Sequence, residues 1–282
     1  MTAARALLRV FHLPPRMALV LAAGFALAAG LRPLLGGGAI ALGVGLVLLL
    51  VGHGVAVPGS PFLVPSVRRG PRRGRAVALT FDDGPHARFT PPILDTLARH
   101  GARATFFVIG RHAAAHPELV RRIAAAGHGL GSHSFTHRRD LLVSGPATLA
   151  RDVRDGVEAL RAITGHAPRL YRQPMGLVNR WVAPALDDLD LVLVAWSVRP
   201  RDNRPTPDPA AAAAALAARL RPGDIVVLHD GADRDPDGPV CAARRTYTLA
   251  LLEPLLAAMD RRGLTSVPVE ELLGAPDAAS PS

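Results

Sequence analysis

The stretch Ala76-Val77-Ala78-Leu79-Thr80-Phe81-Asp82-Asp83-Gly84-Pro85 decides how this 282-residue chain is read. Val77–Phe81 is a short β-favouring run and predicts a strand. It stops on two adjacent carboxylates, Asp82 and Asp83, and a Gly-Pro turn. Downstream the same pattern recurs. Strands are expected at Ala104–Ile109, Gly129–Ser132, Arg169–Arg172, Leu191–Ser197, Asp224–His229 and Leu264–Val267. Between them lie amphipathic segments such as Pro91–His100, Pro117–Ala126, Pro146–Ile163 and the alanine-rich Ala210–Leu220. Such alternation implies an α/β fold with a parallel sheet covered by helices. Six or seven units favour a closed barrel over an open sheet.

The polar residues fall at the ends of these strands. Asp82 and Asp83 end the first, and His133 and His137 follow the third in His-Ser-Phe-Thr-His. Arg172 ends the fourth, Asp202 follows the fifth, and His229 ends the sixth. In a parallel β/α barrel the C-terminal strand ends converge on one face, where catalysis takes place. His133 and His137 are four apart, so one helical turn would bring both imidazoles to one side. Two histidines and one carboxylate suit a divalent metal with an open position for water. Of the paired aspartates, one can bind the metal while the other stays free as a base. His229 suits the role of general acid, with Asp202 to hold its tautomer. Arg172 is placed to orient a carboxylate base.

These segments resemble the NodB-homology polysaccharide deacetylases, carbohydrate esterase family 4, from about Ala76 to Leu273. The motifs Thr-Phe-Asp-Asp-Gly and His-Ser-x-x-His carry most of the likeness. The resemblance implies a distorted (β/α)7-type barrel and hydrolysis of N-acetyl groups on sugars by water activated at a metal. Zinc is the expected metal, with cobalt or nickel as alternatives. The resemblance further implies Asp82 as base, Asp83, His133 and His137 as metal ligands, and Arg172 as the tether of the base. It implies His229 as acid with Asp202 as partner. Pro174 and Met175 would form the oxyanion segment, and Val227 and Leu228 an apolar pocket for the acetyl methyl. Three departures stand out. Met175 stands where the family has an aromatic residue. Arg199 and Asn203 stand where it has Asp and Trp, and Val227 replaces a Leu. Loss of two aromatics removes sugar-stacking surface. Two other readings stay open: a deacylase or deformylase of a lipid-linked sugar, and a catalytically silent carbohydrate-binding homologue.

Upstream of Asp82 there is no acidic residue, while nine arginines occur there. The remainder holds 24 basic residues against 23 acidic ones, so the net charge of +10 belongs to the N-terminal region. That distribution, without aromatic-basic interleaving, argues against nucleic acid and for a membrane-bound anchor. Two apolar runs, Met17–Leu31 and Leu34–Val57, flank Arg32-Pro33. Mean hydropathy is positive, +0.22. One or two transmembrane helices are therefore expected in 1–57, a Pro/Arg-rich linker in 58–75, the catalytic domain in 76–275 and a flexible tail in 276–282. A helical hairpin would leave the catalytic domain cytoplasmic, and a single span would allow it outside; both stay open. Cys241 is the only cysteine, so no intrachain disulfide is possible.

Overall fold

The computed structural model describes residues 38–56, 64–179, 181–200 and 202–274, with a few positions between 22 and 33. Seven parallel strands form the centre: β1 (Ala76–Asp82), β2 (Thr105–Val108), β3 (Gly129–Ser132), β4 (Leu170–Tyr171), β5 (Val192–Leu193), β6 (Ile225–His229) and β7 (Thr265–Ser266). The hydrogen-bonded order is β5-β4-β3-β2-β1-β6, with β7 paired to the first residues of β1. β1 is buried from Val77 to Asp82. This explains why it reads as one apolar run rather than an alternation, since a parallel strand is covered on both faces.

The sheet closes through one segment. Val192 and Leu193 pair with β4, and Val198, a few residues on, bridges Val226 of β6. Ser197 and Val198 both donate from their backbone N–H to the Ile225 carbonyl. The strand expected at Leu191–Ser197 thus splits its pairing between two neighbours, and this makes the barrel distorted. The approach to β1 is also part of the fold. Val64 is buried, and Val67 exchanges backbone hydrogen bonds with Leu193 and Ala195.

The helices are α1 (Gly38–Ala56), α2 (Thr90–Arg99), α3 (Gly110–Ala115), α4 (Pro117–Ala125), α5 (Pro146–Thr164), α6 (Val182–Asp187), α7 (Pro209–Arg219), α8 (Pro239–Arg261) and α9 (Val269–Leu272). α5 buries Leu149, Val153, Val157 and Leu160, a stripe at helical spacing that faces the sheet. Pro146 opens it, and Gly165 at φ 82° ends it in the left-handed conformation that glycine adopts freely. Gly156 lets this helix approach the end of β3. A Cβ there would lie 2.7 Å from Ser132 Oγ and 2.8 Å from the Ser134 carbonyl carbon. The main core packs β1, β2 and β6 against α2, α7 and α8.

The N-terminal region departs from expectation. Taken over the described residues, no helix is long and apolar enough to cross a membrane. The spans expected within 1–57 therefore find no support here. α1 has 19 residues and no Asp, Glu, Lys or Arg, and it exposes Ile40, Leu42, Leu48 and Leu49. Most of Met17–Leu31, residues 58–63 and the tail expected at 276–282 lie outside the described residues.

Candidate active site

Strand register brings the polar ends together. Asp82 of β1 is paired with His229 of β6, and Val108, Ser132 and Tyr171 stand level across β2, β3 and β4. His133 and Arg172 each follow one of these last strands. Their N–H groups donate to the Val108 and Ser132 carbonyls, which continues the ladder into the site. A cavity of about 420 Å³ opens here, lined by Asp82, Asp83, His133, His137, Met175, Val227 and His229 among others.

Asp83, His133 and His137 form a compact trio. One donor atom from each lies within 4.8 Å of the others. Asp83 Oδ1 is 3.5 Å from His133 Nε2 and 3.3 Å from His137 Nε2. His133 Nδ1 sits 2.7 Å from the Arg172 carbonyl, so it carries the proton and turns the Nε2 lone pair to the trio. Asp233 Oδ2 stands 3.4 Å from His137 Nδ1. One carboxylate and two oriented imidazoles on one side of an accessible cavity fit a divalent metal. Burial alone would raise the Asp83 carboxyl. The His133 hydrogen bond and the charges of His137, His229 and His133 outweigh it and hold the group well below the usual carboxylate range.

The His133–His137 spacing is realised in a loop, not in the helical turn expected from the sequence. Ser134 and His137 have φ 63° and 54°. The loop is held from α5, where Asp152 accepts from the N–H groups of Phe135 and Thr136 and from the Thr136 hydroxyl. The His137 N–H donates to Ser134 Oγ at 2.8 Å. Asp83 and Met175 are left-handed too, at φ 72° and 57°. Such residues cost about 1–3 kcal/mol each and gather where the surroundings force them, often at functional sites.

Asp82 is gripped by Arg172. Arg172 Nη1 donates to Asp82 Oδ1 at 2.6 Å and to Thr80 Oγ1 at 2.7 Å, while Nε and Nη2 reach the Val194 and Ala195 carbonyls. The guanidinium is fully buried and lies 3.9 Å from the Phe107 ring centroid. On the other wall, His229 Nδ1 is 2.9 Å from Asp202 Oδ2. Burial pulls the His229 pKa down, but the charge and hydrogen bond of buried Asp202 prevail and raise it above 6.5. Asn203 Nδ2 faces His229 Nε2 at 3.3 Å, a contact that suits the neutral ring.

The residues expected from the sequence are not all on the cavity wall. Arg172 and Asp202 stand behind the groups they hold. Pro174 is buried at the start of the short turn that presents Met175. Leu228 does not reach the cavity. Consecutive strand side chains point to opposite faces, so Val227 and His229 line it while Leu228 enters the core with Leu251 and Leu252. Four participants were not anticipated: Asp152, Asp233, Trp196 and Arg245. Arg245 had a readable signal, since Cys241, Arg245, Thr248 and Leu252 share one buried face of α8. Asp152 and Asp233 come from outside the recognised motifs, and only the fold brings them to the histidine loop.

The comparisons agree with this geometry. Residues 69–194 match the family model described as polysaccharide deacetylase. The chain is 41% identical over 202 residues to a chitooligosaccharide deacetylase of Sinorhizobium fredii, covering 70% of this chain and 93% of that relative. A family 4 carbohydrate esterase from Streptomyces lividans, solved with acetate, superposes with a TM-score of 0.62 at 30% identity, over 72% of this chain and 99% of that one. A peptidoglycan N-acetylglucosamine deacetylase solved with a naphthyl N-hydroxybenzamide gives 0.66 at 27% identity, over 74% of this chain and 93% of that one. The chain belongs to the polysaccharide deacetylase family and is a deacetylase that depends on a divalent metal.

Proposed function

We propose that the protein removes N-acetyl groups from the sugars of an oligosaccharide or polysaccharide by amide hydrolysis. The observation that carries this reading is the Asp83–His133–His137 trio set between an arginine-held carboxylate, Asp82, and a carboxylate-held imidazole, His229. A divalent metal held by the trio, zinc in our reading, supplies Lewis-acid polarisation of the amide carbonyl and of water. Asp82 accepts the proton of the attacking water, and Arg172 keeps that carboxylate aimed. The Met175 N–H donates to the oxyanion of the tetrahedral intermediate, and Val227 meets the acetyl methyl. His229, whose pKa Asp202 raises against the pull of burial, donates its proton to the nitrogen as the C–N bond breaks. The products are acetate and a free amino sugar. Retention of every one of these groups speaks against a silent homologue. Acetate release from N-acetylchitooligosaccharides after reconstitution with zinc, cobalt or nickel tests the reading. Full metal loading with no acetate from any N-acetylated glycan would remove it.

We further propose that α1 holds the protein at a membrane. Its exposed Ile40, Leu42, Leu48 and Leu49 and its lack of Asp, Glu, Lys and Arg support lipid as the cover for this surface. Flotation with liposomes checks this: the full chain rises with the vesicles and a chain starting at residue 64 stays behind. Equal behaviour of the two sinks the idea.

A further inference from the structure

The mouth of the cavity carries a charge pattern that deacetylation does not require. Arg139, Arg199, Arg234 and Arg244 line it and are exposed. Some surface arginines elsewhere are held in ion pairs, such as Arg69 with Asp224, Arg103 with Glu271 and Arg122 with Asp95. The four at the cavity make no ion pair among the described residues. Of the cavity carboxylates, Asp82 is engaged by Arg172, Asp83 by the two histidines and Asp233 by His137. Asp233, which also feels the charge of Arg139, and Asp235 are left to offset four guanidinium groups.

A second, independent observation lies deeper on the same wall as His229. Arg245 is 2% exposed and lines the cavity. Its Nη2 donates to Asn203 Oδ1, and its Nη1 is 3.6 Å from Asp202 Oδ2. Neither Nη1 nor Nε makes a hydrogen bond, so part of this buried cation's capacity is unfilled. Beside it, the Arg199 guanidinium lies 5.9 Å from the Trp196 ring centroid. Trp196 is the one aromatic residue on the wall besides histidine, among the described residues. A flat apolar ring edged by guanidinium groups suits a sugar that carries a planar or tetrahedral oxyanion.

We propose that the cavity recognises an N-acetylated glycan bearing an anionic group, a carboxylate or a phosphate, on or next to the reacting sugar. Arg199 and Arg244 are its contacts, and Arg245 is the fixed charge behind them. This rests on the deacetylase reading above and names the substrate class for that site.

The test compares matched substrates on the full-length, metal-loaded protein. One pair is N-acetylchitotetraose with and without its primary alcohols oxidised to carboxylates. The other is N-acetylchitobiose with and without a 1-phosphate. The expected result is a kcat/KM about 10-fold higher for at least one anionic member at low salt. The advantage shrinks toward 1 near about 0.5 M salt, as screened charge attraction must. The pair that responds tells carboxylate from phosphate. R199Q together with R244Q lowers kcat/KM on the anionic member more than on its neutral partner, and the lysine versions keep the preference. Equal kcat/KM within both pairs, an advantage indifferent to salt, or variants that slow both members by one factor would overturn the proposal. Calorimetric binding to the Asp82→Asn protein separates the two ideas. Tighter binding of the anionic member without turnover of any substrate by the wild-type protein upholds the subsite and removes the deacetylase reading. Equal affinity removes the subsite.

Discussion

The two walls of the cavity are built differently. The wall from β1 and β3 carries Asp82, Asp83 and His133 at strand ends, with Arg172 from the end of β4 behind it. Arg172 holds the Asp82 carboxylate through Nη1, and its guanidinium is fully buried. The opposite wall, from β6 and α8, holds His229 through Asp202, and there Asn203 and Arg245 add contacts of their own. On the first wall each named group matches the family pattern. The second has Arg199 and Asn203 where the family has Asp and Trp. Hydrolysis of an amide fixes the first wall, because base and metal ligands must hold one geometry. The second wall must place one proton but also meets the rest of the substrate, so it is where this chain can differ.

Substitutions can break that contrast. The largest effect is expected from His133→Ala, which removes a donor of the trio. Bound metal, read by atomic absorption, falls well below one per chain and acetate release drops to background. Retention of both would show that the trio is not the metal site. A smaller, more telling effect is expected from Asp202→Asn. The acid works while protonated, so activity falls as pH rises through the His229 pKa. Asp202 lifts that pKa above 6.5, so its loss moves the alkaline limb of the kcat profile to lower pH and slows the reaction about 10- to 100-fold. An unchanged alkaline limb would assign the acid elsewhere. The smallest effect on chemistry is expected from Leu228→Ala. Because Leu228 is core, stability falls by about 2–5 kcal/mol in denaturant titration while the KM for substrate holds. A raised KM with unchanged stability would return Leu228 to the acetyl pocket.

Much of this site was legible in the sequence because parallel strands end where chemistry gathers. Asp82, Asp83, His133, His137, Arg172, Asp202 and His229 each follow a recognisable strand or motif, and the fold assembles all seven. What failed to show had physical causes. Leu228 was misassigned because a motif gives residues in a row, whereas a strand turns alternate side chains away. The histidine loop was read as a helical turn because i, i+4 spacing also fits a loop with two left-handed residues. Val64 and Val67 sat in a Pro- and Arg-rich stretch whose composition hides the burial of the first and the sheet pairing of the second. Asp152 acts through a tertiary contact with the histidine loop that carries no local signal.

The division between base and ligand on the first wall is the centre of the account. Asp82 and Asp83 are adjacent in the chain, yet one faces Arg172 and the other the histidines. The direct test is to measure metal stoichiometry and acetate release together in wild-type, Asp82→Asn and Asp83→Asn proteins. The account predicts that Asp82→Asn keeps about one metal per chain and loses about 10²- to 10⁴-fold in kcat, whereas Asp83→Asn loses the metal itself. An Asp82→Asn protein that still releases acetate at the wild-type rate, or one that fails to bind metal while Asp83→Asn retains it, would contradict it.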